Sequence, residues 1–148
     1  YRPAEPAEVL QAALRVLAGQ LRGTEMLSSP QAVRDFLRIK LGALEHEVFA
    51  VIHLDAQHRV IEYVEMFRGT VTQTSVYPRE VVKEAMEHNT AAIVLVHNHP
   101  SGVAEPSRAD EHLTQTLKSA LSLVDVRVID HLIVAGPTIL SFAERGLI

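Results

Sequence analysis

The chain has 148 residues, 47% of them hydrophobic and 22% charged, with a net charge of -4 and no cysteine. That length suits one domain with a proper core, and the lack of cysteine excludes disulfides and thiolate metal sites, so any metal must be held by His and carboxylate. The acidic balance lacks the basic excess of a nucleic-acid binder, and no apolar run reaches the ~18 residues of a membrane span.

No signal peptide is visible at the start, and the chain opens on Tyr rather than Met, as a trimmed piece would. The expectation is a soluble, cytoplasmic protein with no membrane partner. Over residues 6–22, Val9, Leu10, Ala13, Leu14, Leu17 and Leu21 recur at helical spacing. Such a stripe is first a packing face; its other use is a homodimer contact. Gly23 and Thr24 break the pattern, and 23–29 reads as a linker. Residues 1–28 are therefore expected to be an N-terminal helix and linker, with the main domain over 29–148.

Ser29-Pro30 starts a second helix, Ser as N-cap and Pro at N1. It runs to about residue 40 with Val33, Leu37 and Leu41 on one face, and Gly42 ends it. Residues 48–54 and 59–67 are apolar, β-branched runs either side of Asp55-Ala56-Gln57-His58, which predicts a hairpin. Residues 70–76 alternate as a short strand would. Tyr77-Pro78 opens a helix to about residue 88, with Glu80, Glu84 and Glu87 on its outer side. Residues 91–96 form an apolar run of the fully buried strand type. A helix from Ser107 carries Leu113, Leu117, Ala120 and Leu121 inward. Residues 124–134 make one strand or two, Gly136-Pro137 turns, and 139–142 adds an edge strand. This order predicts an α/β fold with a mixed β-sheet flanked by helices.

The chemistry concentrates in residues 96–110, VHNHPSGVAEPSRAD. Residues i and i+2 of an extended chain point the same way. His97 and His99 can therefore aim both imidazoles at one point while Asn98 faces away. Asp110 returns at the start of the next helix. Two histidines and a carboxylate make a usual catalytic zinc set, with one position left for water. Pro100 and Pro106 stiffen the intervening loop. Ser107-x-x-Asp110 is also a helix-capping pattern. The two uses are compatible, since an acid on a capped first turn is well held.

HNHPSG followed by SRAD resembles the JAMM signature of the JAB/MPN metalloprotease superfamily, and its wording is similar to the RadC branch. VYPREVVKEA at 76–85, DHLIVAG at 130–136 and SFAERGLI at 141–148 resemble RadC proteins too, so the resemblance spans about residues 28–148. It implies an MPN/JAB (cytidine-deaminase-like) architecture and a Zn2+ cofactor on His97, His99 and Asp110. It also implies a general base where a helix hands over to the first core strand. Among Glu45, Glu47, Glu62 and Glu65, Glu47 occupies that place, and burial at the mouth of an apolar strand raises a carboxyl pKa. Phe49-Ala50 departs from the Cys-Gly or Met-Gly of better-known members. Ser107 matches the serine that stabilises the oxyanion. Asn98, Ser101 and His112 lie near in sequence and are read as structural. His46, His53, His58, His88 and His131 have no partner spacing; Asp130-His131 alone stands out, because it belongs to DHLIVAG.

The expected function is a zinc-dependent hydrolase of an amide bond in a peptide or protein, with isopeptides included. The alternative is a DNA-repair role, since RadC proteins carry that label. Longer members have an N-terminal helix-hairpin-helix module, which residues 1–28 are too short to form. A single zinc also suits phosphodiesters less well than a two-metal cluster. A third reading, a non-catalytic MPN binding module, fits poorly with a complete ligand set.

Overall fold

The computed structural model of the protein describes residues 2–69 and 75–148. Among these, helices α1 (Pro6–Leu21) and α2 (Pro30–Leu41) precede strands β1 (Val48–Leu54) and β2 (Val60–Arg68). Helix α3 (Pro78–Glu87), strand β3 (Ala92–Asn98), helix α4 (Arg108–Ser122) and strands β4 (Arg127–Ala135) and β5 (Thr138–Ser141) follow. Of the strand expected over 70–76, residues 70–74 lie outside the described ones, and residues 75 and 76 are in no strand. No described helix is long and apolar enough to cross a membrane.

The five strands form one sheet in the order β2-β1-β3-β4-β5. β1 is antiparallel to both neighbours, β3 and β4 are parallel, and β5 returns antiparallel. The sheet is therefore mixed, as expected for this α/β fold. Alternation along the strands decides the layers. Ala50, Ile52 and Leu54 of β1, with Val94 and Val96 of β3, pack under α1 and α2. Phe49 and Val51, with Ile93 and Leu95, pack under α3 and α4. Every residue of β1 and β3 is buried. That is why these strands read as continuous apolar runs rather than alternating ones.

Several local expectations are corrected. Ser29 makes no side-chain cap bond, so the start of α2 rests on Pro30 at N1. The stretch 23–29, read as a linker, is hydrogen-bonded to residues 58–60. Gly23 N donates to Val60 O, Val60 N to Thr24 O and Met26 N to His58 O. Of the one strand or two expected over 124–134, one forms, because Asp125 takes a positive φ of 60° and turns the chain before β4. Glu84 is half-buried rather than outer, because it faces the end of β1. Leu14, Leu17 and Leu21 of α1 pack on the core, whereas Val9, Leu10 and Val16 stay exposed.

Gly42 matters for space, not for φ. A Cβ there would stand 2.5 Å from Arg38 O and 2.8 Å from Gly136 O. The end of α2 can therefore lie against the β4–β5 turn only if this residue has no side chain. Arg38 Nε holds the same junction by donating to Pro137 O at 2.8 Å.

Candidate metal centre

The parallel pair β3–β4 and its crossover helix α4 build the site. In open α/β sheets, ligands gather at the carboxyl ends of parallel strands. His97 ends β3 on the face covered by α4, continuing the row of Ile93 and Leu95. His99 follows, held by its backbone N–H to Val134 O at 2.8 Å. The loop then turns through Gly102, whose φ of +83° glycine tolerates at no steric cost. Ser107 caps α4 in a full capping box: Asp110 N donates to Ser107 Oγ at 3.0 Å and Ser107 N to Asp110 Oδ2 at 2.8 Å. The capping that the tetrad predicts is present, and it aims the Asp110 carboxylate at the histidines.

Three side chains meet. His97 Nε2 lies 3.0 Å from His99 Nε2 and 3.2 Å from Asp110 Oδ1, and His99 Nε2 lies 3.1 Å from Asp110 Oδ2. Donors held about 2.0–2.2 Å from a tetrahedral ion stand roughly 3.3–3.6 Å from one another. The observed trio needs only a slight spread to reach that.

Hydrogen-bond direction supplies a second test of fit. Val103 O, 2.8 Å from His99 Nδ1, can only accept, so this nitrogen carries a hydrogen and Nε2 keeps a lone pair. Thr114 Oγ1 donates to Asp110 O at 2.9 Å, so it accepts from His131 Nδ1 at 2.6 Å. His131 Nε2 is then the acceptor for His97 Nδ1–H at 2.7 Å. His97 Nε2 is left with its lone pair as well. Two lone pairs and a carboxylate facing one another call for a cation between them. Without a metal, a proton serves, and the hydrogen bond to Asp110 raises the His99 pKa accordingly. Burial pushes the Asp110 carboxyl up, but the bonds from His97 and His99 outweigh it and hold it well below the usual range.

His131, which stands out only through DHLIVAG and has no ligand spacing, is fully buried beside His97. Phe142 stacks on its ring with centroids 4.4 Å apart. Burial, then the neighbouring His97, pushes its pKa well down and keeps it neutral. Beside it, Asp130 accepts from Ser141 Oγ at 2.6 Å, His131 N at 2.7 Å and Ala143 N at 3.0 Å, which ties β5 and the chain end to β4. The DHL of DHLIVAG thus contributes one residue that orients the His97 ring and one that holds the edge of the sheet.

Glu47 precedes β1, and β1 runs antiparallel to β3 with Phe49 opposite His97. This register brings the residue before β1 to the histidine end of β3. Burial raises the Glu47 pKa, against the pull of His97 and His99. Of the other acids, Glu45 is exposed. Glu62 and Glu65 lie on β2, beyond β1, where they pair with Arg22 at 3.2 Å and Lys40 at 3.8 Å. Asn98 is buried and brackets Glu47: its Oδ1 accepts from Val48 N at 2.7 Å and its Nδ2 donates to His46 O at 3.0 Å. Ser101 accepts from Val103 N within the loop, and His112 is exposed on α4.

A family profile described as the RadC-like JAB domain matches residues 27–147. The chain belongs to the RadC-like JAB domain family. Among its relatives, a UPF0758 protein of Leptothrix cholodnii is 62% identical over 149 residues, covering 99% of this chain and 67% of the relative. A UPF0758 protein of Methylibium petroleiphilum is 61% identical, covering 98% of this chain and 65% of its own length. One from Nitrosomonas eutropha is 60% identical over 95% of this chain and 62% of the relative. The chain therefore spans about two thirds of the length of these relatives. The profile begins at residue 27, close to the start of α2, and takes in the His97, His99 and Asp110 cluster whole.

Proposed function

We propose that this RadC-like JAB domain is a zinc-dependent hydrolase of an amide bond, peptide or isopeptide, in a protein or peptide substrate. The carrying observation is the convergence of His97 Nε2, His99 Nε2 and the Asp110 carboxylate within 3.0–3.2 Å, with both Nδ1 atoms committed elsewhere. Zinc held there supplies a Lewis acid and lowers the pKa of water toward about 7. Glu47 is the general base: a carboxyl raised by burial takes the attacking water's proton and returns it to the leaving nitrogen. Ser107 donates to the developing oxyanion. Its bond to Asp110 N uses an oxygen lone pair and not the hydroxyl hydrogen. Asn98 holds the backbone either side of Glu47 and so positions it. The net charge of -4 works against a polyanionic substrate.

The test separates binding from chemistry. His97→Ala/His99→Ala should lose one equivalent of zinc per chain. Glu47→Gln keeps the shape but accepts no proton, so zinc should stay while cleavage of a peptide or isopeptide panel falls by about 10²–10⁴-fold. Loss of zinc from Glu47→Gln would make Glu47 a ligand and refute the role given to it.

A further inference from the structure

A second set of ligating side chains lies at the far end of β1. His53 continues the row of Phe49 and Val51 and is fully buried. Its Nδ1 lies 2.8 Å from Thr90 Oγ1, and its Nε2 is buried with no hydrogen-bond partner among the described residues. An orphaned buried N–H is the costlier choice. The hydrogen therefore sits on Nδ1, donated to Thr90, and Nε2 keeps a lone pair. His88, the residue that ends α3, stacks on His53 with centroids 4.3 Å apart and planes 7° from parallel. Its Nδ1 lies 2.9 Å from Glu84 O, which only accepts, so His88 Nε2 also carries a lone pair. Glu84 stands one turn earlier on the same face of α3, with Oε1 3.8 Å from His88 Nδ1. Each of the three places a ligating atom within 4.8 Å of the other two.

We propose that His53, Glu84 and His88 form a second zinc site, separate from the His97 centre, which braces the end of β1 against the end of α3. The donor set is two imidazoles and a carboxylate, one of the usual zinc combinations. His53 already has Nδ1 engaged by the Thr90 hydroxyl, the arrangement that fixes ring orientation in metal-binding histidines. Coordination would give the buried Nε2 of His53 the partner it lacks. Near-parallel rings do not yet point at one ion, and the half-exposed His88 is the ring that turns, since the outer imidazole torsion is broad. Phe49 pairs with His97, and His53 lies four residues further along β1, about 13 Å away at ~3.3 Å per residue. The two sites cannot share an ion.

The experiment counts zinc and follows melting in chelator-stripped protein. Wild type, His88→Gln, Glu84→Gln and His97→Ala/His99→Ala are loaded with zinc, freed of excess and analysed for metal per chain. His88 and Glu84 are only half-buried, so their glutamine variants should fold. Wild type should hold two equivalents, and each glutamine variant one. The His97→Ala/His99→Ala protein should hold one and still melt higher with zinc than without. Zinc retained at the wild-type count in both glutamine variants would overturn the proposal and leave the His97 centre standing. Loss of one equivalent in the glutamine variants, with none lost in His97→Ala/His99→Ala, would support this site and refute the other.

Discussion

Ser107 is one side chain with two jobs, and a pair of substitutions separates them. As the N-cap of α4 it accepts from Asp110 N. Ser107→Ala removes the cap at about 1 kcal/mol, whereas Ser107→Gly loses only a few tenths of that. Loss of an oxyanion donor instead lowers the rate by about 10²–10³-fold. If Ser107 acts on the substrate, the Gly variant should melt close to wild type and be nearly as inactive as the Ala variant. Melting curves beside a rate assay decide the matter. An active Gly variant would reduce Ser107 to a cap. The same reasoning explains why Asp110 would be a well-placed ligand: the first turn of a capped helix would lose little freedom on gripping an ion, because the capping box already holds it.

At the scale of elements, α4 and β4 act on the metal centre together through Thr114 and His131. The hydroxyl of Thr114 bonds its own helix and accepts from His131, and that pair of bonds makes His97 a donor at Nδ1 and leaves a lone pair at Nε2. Thr114→Val keeps the buried shape and removes the oxygen. The helix should persist, since a side-chain bond to the carbonyl four residues back is not needed for helical structure. Stability should fall by about 1–3 kcal/mol for the unpaired His131 nitrogen. Zinc affinity at this centre should drop by roughly 10–100-fold, the usual worth of a group that orients a ligand. A competition titration against a chelator measures it, and the His97 nitrogen shifts in NMR report the tautomer. Unchanged affinity with a changed tautomer would show that the relay does not tune the site.

Taken as a whole, the molecule buries two neutral histidines under α3 and α4, and this gives its stability a pH dependence. Burial, helped by His88, pushes His53 down from 6.5 to about 4, and His131 moves the same way. Between those values the unfolded chain binds the proton more readily than the folded one, so protonation favours unfolding. The contribution is fully present above pH 6.5 and is lost as pH falls toward about 4. Asp130 and Glu47, both raised by burial, work in the opposite sense from their ordinary 3.8 and 4.5 upward. Urea midpoints of chelator-treated protein should decline as pH falls through the window, and fall again as pH rises above 6.5, where the proton held by His99 is lost. A midpoint that rises as pH falls through the window would show that these rings are not buried neutral.

Much of this was readable from neighbours along the chain. Apolar periodicity located all four helices and the strand pair around the hairpin. His-x-His at a strand end and Ser-x-x-Asp at a helix start could be joined into one cluster because both patterns are local. Pairing between distant strands is a different matter. His131 stands 34 residues from His97, and only the parallel register of β4 on β3 brings their rings within 2.7 Å. Glu47 could be preferred over Glu45, Glu62 and Glu65 from a family likeness, but what separates them physically is the antiparallel pairing of β1 with β3. His53 and His88 look unrelated in the chain, yet a strand end and a helix end abut and stack them. Ser29 shows the limit within a local pattern, since a capping residue caps only if its backbone presents the side chain, and that depends on how the preceding segment is tied to β2. Periodicity and caps are set by interactions a few residues apart, so the sequence alone determined the elements and the core of the cluster. Register and layer order are set by how the whole core packs, so only the tertiary structure decided which distant side chains support it.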